Sequence, residues 1–373
     1  MVATSEQLHA AVAAIEDPLL DRTLGELDAV AAEVRRGSAQ VTLRLPVPGY
    51  PAESELRAAA AQAARDLGVA DVTVDVAVMS DEQRRAAVSH LQQERSGESQ
   101  SGQDPDIPFN RIDSDTKVVA IASGKGGVGK SSIATNLACA LAQQGYRVGI
   151  MDADIWGYSI PRMMGVEGKP VAFDDLVMPL RAHGCKVISI GFFVDSERPV
   201  IWRGPMLHRA LQQFLADVHW GELDFLLCDL PPGTGDIAIS LAQMLPSADM
   251  LVATTPQPAS QRVALRAGQT TAQTGMKVAG VIENMSVFVA PDTGTEYAIF
   301  GSGGGKLLAD ELDTNLLGQI PIDQRLREGA DDGRPLVLGD PDAPASKILG
   351  DIASQVAQRK GTLVGKSLPL QQM

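Results

Sequence analysis

The stretch at residues 124–131 constrains this chain more than any other part of the sequence. Its residues, Gly-Lys-Gly-Gly-Val-Gly-Lys-Ser, match the pattern G-x-x-x-x-G-K-[ST], in which backbone N–H groups cradle nucleotide phosphates. Residues 118–122 form an apolar run that predicts a strand before the loop, and residues 131–144 have the spacing of a helix after it. This order places the positive N-terminus of a helix against a bound anion.

The pattern also assigns a chemical role to the polar residues of the loop. Lys130 is expected to reach the β- and γ-phosphates and to act in catalysis, while the Ser131 hydroxyl is expected to ligate Mg²⁺. Nucleotide contacts are predicted for the whole segment: Gly124, Lys125, Gly126, Gly127, Val128, Gly129, Lys130, Ser131 and Ser132.

Acidic residues at the ends of two further predicted strands belong to the same site. Asp229 closes the apolar run 224–229 and is followed by prolines and glycines, the position from which a carboxylate holds Mg²⁺ in P-loop enzymes. Asp152 ends the predicted strand 147–152, and Asp154 follows two residues later. We assign Asp152 to the magnesium shell and Asp154 to activation of the reaction, although the sequence leaves the division between them open.

The periodicity of the chain predicts two domains. Residues 1–90 alternate short helices and strands and indicate a small α+β domain, and residues 91–114 have the Ser, Gly, Gln and Pro content of a flexible linker. Residues 115–360 alternate strands and helices, which predicts an α/β domain with a doubly wound, mostly parallel sheet. Residues 361–373 are predicted to be a disordered tail.

Charge and hydropathy exclude some functions. The net charge of −14, from 32 basic and 46 acidic residues, argues against a general nucleic-acid binder. No apolar run has transmembrane length, and no basic segment followed by an apolar one opens the chain. We therefore expect a cytoplasmic protein without nucleic-acid or membrane partners. The three cysteines are far apart in sequence and form no C-x-x-C motif.

Several segments together resemble the Mrp/ApbC family of iron–sulfur cluster carrier ATPases, within the MinD/ParA-like class. They are GKGGVGKS, MDADIWGYSIPRMMG, VIWRGPMLHRALQQFL, DFLLCDLPPGTGD, GVIENMS and IFGSGGG. This resemblance covers roughly residues 115–355. The N-terminal unit is similar to the small metal–sulfur cluster assembly domain that often precedes this ATPase.

The resemblance implies a slow, Mg²⁺-dependent ATP hydrolase that works as a homodimer and serves client apo-proteins or assembly proteins. Lys125, the second lysine of a deviant phosphate loop, would cross the dimer interface to the partner's nucleotide, where a cation stabilises charge in the transition state. Asn284 would occupy the position that contacts the adenine. The alternative for Asn284 is a buried amide that bonds the backbone.

The chain departs from the family at its cluster site. The family places a C-x-x-C after the NMS motif, and here Ala290 and Thr293 stand at those positions, neither of which binds iron as a thiolate does. The N-terminal domain likewise has Tyr50 where a cysteine is common. His183 and Cys185 are an alternative ligand set across a dimer, and the iron–sulfur ligands are otherwise unknown.

Three functions therefore remain open from the sequence. The first is an ATP-hydrolysing carrier or assembly factor for iron–sulfur clusters. The second is a nucleotide-switched scaffold or regulator of the same family that binds no cluster. The third, a positioning ATPase on DNA or a membrane, is opposed by the acidic charge balance and by the lack of a basic amphipathic helix at the C-terminus.

Overall fold

The computed structural model describes residues 4–35, 37–95, 107–111, 114–154, 157–173, 176–193, 204–233, 236–272 and 276–359. The predicted tail at 361–373 and most of the predicted linker lie outside these ranges. Within the described residues, no helix combines the length and the apolar character needed to cross a membrane.

The described elements alternate between strands and helices along most of the chain. The strands are β1 Glu16–Asp17, β2 Arg22–Thr23, β3 Val30–Arg35, β4 Ser38–Leu45, β5 Asp71–Val78, β6 Lys117–Ser123, β7 Val148–Asp152, β8 Val171–Phe173, β9 Leu176–Met178, β10 Leu180–Ala182, β11 Cys185–Ser189, β12 Phe225–Asp229, β13 Asp249–Thr254, β14 Lys277–Val289, β15 Glu296–Tyr297 and β16 Leu316–Ile322. The helices are α1 Ser5–Ala13, α2 Glu53–Asp66, α3 Asp81–Arg95, α4 Lys130–Gln143, α5 Ile160–Met163, α6 Gly204–Ala216, α7 Asp236–Met244, α8 Pro258–Ala272, α9 Gly304–Glu311, α10 Gln324–Asp331, α11 Leu336–Gly339 and α12 Pro344–Gln358.

The chain forms two compact units, and the first is built around a three-stranded sheet. In this sheet β4 is central, antiparallel to β3 and parallel to β5. Alternate residues of β4, such as Val41 and Leu43, are fully buried, as expected for a strand with one face on a core. Tyr50 is also buried, and its hydroxyl donates to Asp17 Oδ1 at 2.9 Å. This side chain therefore serves the packing of the unit.

The first unit is not continuous in sequence. Besides residues 1–106 it includes residues 170–180 and 217–222, whereas the predicted boundaries placed both segments in the ATPase domain. Phe173, Leu176 and Met178 are part of the same apolar core as the N-terminal helices and strands. The burial of these large side chains explains why the segments belong to this unit.

The second unit has the predicted doubly wound α/β architecture. Its strands lie in the order β10-β11-β7-β12-β6-β13-β14-β15, with β16 paired to β14. The pairs from β11 through β14 are parallel, as is β14 with β16, and β15 is antiparallel to β14. β6, β7 and β12 are almost entirely buried, because helices cover both faces of such a sheet. The carboxyl ends of these three strands meet at one edge, where ligands of open α/β sheets bind.

Candidate nucleotide site

The glycine loop connects β6 directly to α4. Gly127 and Gly129 have φ angles of 79° and 84°, in the left-handed region that residues with a side chain rarely adopt. Gly129 is the residue that precedes the first turn of α4, which begins at Lys130. The two glycines thus give the loop the backbone shape that turns N–H groups toward an anion.

Asn284 contacts the backbone of the glycine loop. Its Nδ2 donates to the carbonyl oxygen of Val128 at 2.9 Å, and the side chain is buried. A Cβ atom on Gly129 would lie 2.2 Å from this Nδ2, so the close approach requires glycine. The structure therefore shows the amide bonding the backbone of the phosphate loop. The predicted contact of Asn284 with adenine stays a prediction.

The loop encloses a cavity of about 490 Å³, a volume typical of sites for small ligands. The cavity is lined by residues of the predicted site and of three neighbouring segments: Ser123, Lys125, Gly126, Gly127, Val128, Gly129, Lys130, Ser131, Ser132, Asp154, Gly157, Met163, Pro231 and Pro232. The structure thus brings the predicted segment Lys125–Ser132 and Asp154 together at one site.

Lys130 and Ser131 both contact Asp229. Lys130 Nζ lies 2.6 Å from Asp229 Oδ1, and the Ser131 hydroxyl donates to Asp229 Oδ2 at 2.5 Å. Lys130 Nζ also lies 3.8 Å from Asp154 Oδ2. Burial raises the pKa of Asp229, while the Lys130 charge and the Ser131 hydroxyl act in the opposite direction. Lys130 therefore faces two carboxylates, and all three of these side chains are buried.

Asp152 has a buried carboxylate that bonds the following chain segment and the neighbouring strand β11. Its oxygens accept from the backbone N–H of Asp154 at 3.1 Å, from that of Ile160 at 3.3 Å and from the Ser189 hydroxyl at 3.0 Å. Burial, followed by the nearby Asp229 charge, raises the pKa of Asp152 to about 7. These contacts make Asp152 an organiser of the segment that carries Asp154. Its assignment to the magnesium shell stays a prediction, as does that of Asp154 to catalysis.

The donor set fits Mg²⁺. The Asp229 carboxylate and the Ser131 hydroxyl are adjacent hard oxygen ligands, and Mg²⁺ in nucleotide sites typically uses one or two protein carboxylates with waters and phosphate oxygens. A divalent cation would also offset the buried negative charge that Lys130 alone faces.

Lys125 lies at the edge of the same cavity but has a different partner. Its Nζ donates to Gln257 Oε1 at 3.1 Å, in the turn that precedes α8. Lys125 is therefore held by a neutral amide within its own subunit, whereas Lys130 faces carboxylates. The predicted contact of Lys125 with a partner's nucleotide stays a prediction.

All three cysteines are fully buried in this structure. The pKa of the Cys139 thiol is raised by its hydrogen bond with Cys185 and by burial, and burial also raises the pKa of Cys228. Neutral thiols inside a core are poor ligands for iron. The alternative ligand His183 is engaged as well, with Nε2 placed 2.9 Å from the Gly333 carbonyl oxygen. Within the described residues, no group of three or more histidine, cysteine or acidic side chains is arranged to hold a metal ion.

The segment in which the resemblance predicts a C-x-x-C is an exposed hairpin loop. Ala290 and Thr293 lie between β14 and β15, where the Ala290 N–H donates to the Thr295 carbonyl oxygen at 2.9 Å. Residues 291–299 are all exposed. The loop therefore keeps its accessible position, although it carries no thiol.

Comparison with known proteins identifies the family of this chain. Residues 115–357 match a protein-family model described as ParA, NUBPL iron-transfer P-loop NTPase. The chain belongs to this family. It is 48% identical over 372 residues to a protein of Mycobacterium bovis named iron-sulfur cluster carrier protein, covering 97% of this chain and 96% of that one. Proteins of the same name from Synechocystis and Bacillus subtilis are 38% and 36% identical, covering 95% and 94% of this chain and 97% of each relative.

Solved structures show the same fold. A nucleotide-binding protein from Archaeoglobus fulgidus in complex with ADP is 36% identical with a TM-score of 0.53, covering 62% of this chain and 91% of that one. The septum site-determining protein MinD from Pyrococcus horikoshii, complexed with Mg-ADP, has a TM-score of 0.50 at 22% identity, covering 65% and 96%. The predicted α/β fold and the predicted family are thereby confirmed, and the chain is a P-loop NTPase by family.

The sequence did not single out three polar residues of this region: Ser189, Gln257 and Glu283. Ser189 lies next to the end of the strand predicted at 185–190, at the same edge of the sheet as Asp152, so the strand-end rule could have indicated it. Gln257 and Glu283 act through partners far away in sequence, Lys125 and Gly305, and no local pattern marks such pairs.

Proposed function

We propose that this protein is a slow, Mg²⁺-dependent ATPase that works as a cytoplasmic homodimer and carries iron–sulfur clusters to client apo-proteins. The meeting of Ser131 and Asp229 oxygens at the end of a glycine phosphate loop supports the nucleotide part of the proposal. Near full-length similarity to proteins named iron-sulfur cluster carrier protein supports the cargo.

The residues of the site divide the work of phosphoryl transfer to water. Backbone N–H groups of the loop and the Lys130 ammonium bind the phosphates, and Lys130 would exchange Asp229 for phosphate oxygens when the nucleotide enters. Asp154 accepts a hydrogen bond from water that attacks the γ-phosphorus as the bond to the bridging oxygen breaks. Asp152 holds the segment that carries Asp154 through its bonds to Ile160 and Ser189.

Mg²⁺, held by Ser131 and Asp229 with Asp152 reaching it through water, would neutralise charge on the phosphate oxygens. Lys125 would supply a further cation to the nucleotide of the second subunit once it leaves Gln257. Because this lysine reaches the nucleotide only from a partner subunit, the isolated subunit hydrolyses ATP slowly.

Replacement of Lys125 tests the division of roles between the two lysines. We expect Lys125→Ala to bind Mg-ATP with nearly unchanged affinity but to hydrolyse it at least tenfold more slowly, because removing one transition-state cation costs roughly 10³–10⁵ in related enzymes and less where other cations remain. Lys130→Ala should lose binding as well. Turnover of Lys125→Ala at the wild-type rate would show that Lys125 has no part in hydrolysis.

The cargo is tested by anaerobic reconstitution with ferrous iron and sulfide, followed by iron and sulfide counts per dimer and a visible absorption spectrum. Because the cysteines are buried, we expect a cluster only when a small thiol such as glutathione supplies ligands, and we expect Cys185→Ala to behave like the wild type. Loss of the cluster in Cys185→Ala would instead show that this thiol opens to bind iron.

The second function, a nucleotide-switched scaffold without a cluster, is not favoured by the names of the relatives. It would be supported if the protein hydrolysed ATP yet held no iron under any of these conditions. The third function is tested by binding to DNA or to anionic vesicles, which we expect to be absent at physiological salt.

A further inference from the structure

Glu283 is a fully buried carboxylate that the nucleotide site does not use. Its Oε2 accepts from the backbone N–H of Gly305 at 2.5 Å, and its Oε1 accepts from Gln319 Nε2 at 2.6 Å. A Cβ on Gly305 would lie 2.7 Å from the Cβ of Glu283, so only glycine permits this approach. The backbone at the start of α9 therefore binds a carboxyl group of its own chain through the Gly305 N–H.

This bond closes a long excursion of the chain. Glu283 and Gly305 are 22 residues apart, and between them β14 continues into the hairpin with β15. The hairpin, defined here as residues 286–299, exposes Val289, Tyr297 and Ile299 by 43%, 53% and 56%. Glu283 thus fixes both ends of an exposed, partly apolar hairpin.

The next residue connects the same strand to the phosphate loop. Neighbouring side chains of a strand point to opposite faces, and Asn284 accordingly bonds the Val128 carbonyl oxygen while Glu283 bonds Gly305. One dipeptide of β14 therefore contacts the nucleotide loop on one side and the base of the hairpin on the other.

Met285 marks a break in the strand between this dipeptide and the hairpin. It has a φ angle of 57°, a left-handed conformation that costs energy for a residue with a side chain. Asn284 pairs with Ile320 and Phe288 with Ile322, so four residues of β14 advance against two of β16. Such an irregularity bends a strand and disrupts its pairing locally.

We propose that Glu283, Asn284 and Met285 form a relay that makes the order of the hairpin depend on whether phosphates occupy the loop at 124–131. Bound phosphates hold the loop in one conformation, and the loop then holds Asn284 through its bond to the Val128 carbonyl oxygen. Strand β14 in turn fixes the base of the hairpin, which begins directly after Met285. Glu283 and Asn284 are positioning residues in this scheme, because they act through their own hydrogen bonds to the hairpin base and to the phosphate loop. The inference rests on nucleotide binding at the proposed site and adds to it a surface that reads the nucleotide state.

Hydrogen exchange of the full-length protein tests the relay. Saturating Mg-ADP should slow amide exchange of the hairpin in the wild type by roughly fivefold or more, the lower range of coupling between sites. In Glu283→Leu the side chain at position 283 can accept neither from the Gly305 N–H nor from the Gln319 amide. Mg-ADP should still bind, but the protection of the hairpin should be lost.

An exchange of the two side chains keeps both hydrogen bonds. In the double variant Glu283→Gln with Gln319→Glu, the amide oxygen at 283 accepts from Gly305 and its NH₂ group donates to the carboxylate at 319. We expect protection of the hairpin to be retained. Gln269→Ala, on the exposed side of α8, is the control and should behave like the wild type.

The other end of the relay is tested with Mg-pyrophosphate, which has phosphates but no base. If Asn284 positions the loop, Asn284→Ala should weaken binding of Mg-pyrophosphate and Mg-ADP by similar factors, roughly tenfold for one lost buried bond. Weaker binding of Mg-ADP alone would mean that Asn284 contacts adenine, and would overturn the relay at this step.

The remaining outcomes separate the relay from the proposed function. A wild-type hairpin whose exchange does not respond to bound Mg-ADP overturns the relay and leaves the nucleotide site intact. Unchanged protection in Glu283→Leu, or lost protection in the exchanged pair, also overturns it. A wild-type protein that binds neither Mg-ADP nor Mg-pyrophosphate overturns both the relay and the proposed ATPase.

Discussion

At the scale of single residues, the site depends on how buried charges are balanced. Asp229 is fully buried, and a carboxylate in that position needs a cation and hydrogen bonds to remain charged. Lys130 and Ser131 provide both. These three residues could be predicted from the sequence because two local patterns indicate them. The phosphate-loop pattern indicates Lys130 and Ser131, and an acidic residue at the end of an apolar strand indicates Asp229. Gln257 and Glu283 could not, since their partners are set by the three-dimensional fold alone.

Gly124 provides a test at this scale. A Cβ at this position would lie 2.2 Å from the backbone nitrogen of Ala264 and 2.5 Å from the backbone carbon of Val263. Because helix backbone cannot move aside cheaply, Gly124→Ala should lower the free energy of unfolding by about 1–3 kcal/mol, measured by urea denaturation. The matched control is Gly126→Ala, whose Cβ would meet only Pro232 at 4.0 Å. Equal stability of the two variants would contradict the close packing of the loop on α8.

At the scale of elements, α4 is held in place by a side chain from its own interior. Asn136 is buried, donates to the Ser132 carbonyl oxygen at 2.8 Å and accepts from the Val337 N–H of α11 at 3.1 Å. Asparagine is an unfavourable residue inside a helix, and this long-range bond explains its presence. The glycine loop therefore leads into a helix that is fixed at its first turns.

Asn136→Ala should leave the Val337 N–H buried without a partner. We expect a loss of about 1–3 kcal/mol in the free energy of unfolding, measured by thermal or chemical denaturation. Gln143→Ala on the exposed end of the same helix should change stability by less than about 0.5 kcal/mol. An unchanged free energy of unfolding in Asn136→Ala would mean that water reaches the Val337 N–H and that α11 is held by apolar contacts alone.

The start of α10 gives an element-scale prediction about pH. Asp323 caps this helix through the Arg325 N–H at 3.0 Å and pairs with the Arg325 guanidinium at 2.7 Å, which lowers the pKa of Asp323. The folded state therefore binds the proton more weakly than the unfolded state. The contribution of Asp323 to stability is present above pH 4 and is lost as pH falls below about 4.

Asp323→Ala should lower the free energy of unfolding at pH 7 by about 0.5–2 kcal/mol, the usual value of an N-cap. Asp323→Asn keeps the cap but not the charge, so its stability should fall less steeply than that of the wild type between pH 4 and pH 3. Parallel pH profiles of the wild type and Asp323→Asn, measured by urea denaturation, would contradict the ion pair.

The elements themselves were largely predictable, with one informative exception. The sequence of the α/β region predicts seven strands, at 117–123, 147–152, 185–190, 224–229, 249–254, 277–283 and 315–320. Six of them agree with the structure to within two residues at each end, because unbroken apolar runs mark buried parallel strands. The seventh was predicted to end at 283 but continues as β14 to Val289. Its extension is paired with the two-residue β15, and so short a partner leaves no recognisable pattern in the sequence.

At the scale of the whole molecule, the sequence indicated the kind of fold but not the course of the chain through the two units. The first unit takes in residues 170–180 and 217–222, where short strands gave no reason to separate them from the surrounding α/β pattern. Their membership follows from the burial of Phe173, Leu176 and Met178 in a core formed mainly by the N-terminal residues. Such non-local packing is visible only once the fold is known.

The separate cores lead to a prediction about ligand stabilisation. All residues proposed to bind Mg-ADP belong to the second unit, and a ligand stabilises only the structure whose unfolding releases it. At 100 times its dissociation constant, Mg-ADP should therefore raise the free energy of opening of the second unit by about 2.7 kcal/mol. Hydrogen exchange should detect this in buried β6 and β12 but not in β4 of the first unit.

Removal of Mg²⁺ with EDTA is the control for that experiment. The protection of β6 and β12 should shrink, because Ser131 and Asp229 would then face the phosphates without the cation that their oxygens fit. Equal protection of β4 by Mg-ADP would instead mean that the two units open as one, since ligand energy reaches only residues that share an unfolding transition. In that case residues 170–180 and 217–222, which pass from one unit to the other and back, would be the segments that join the two transitions.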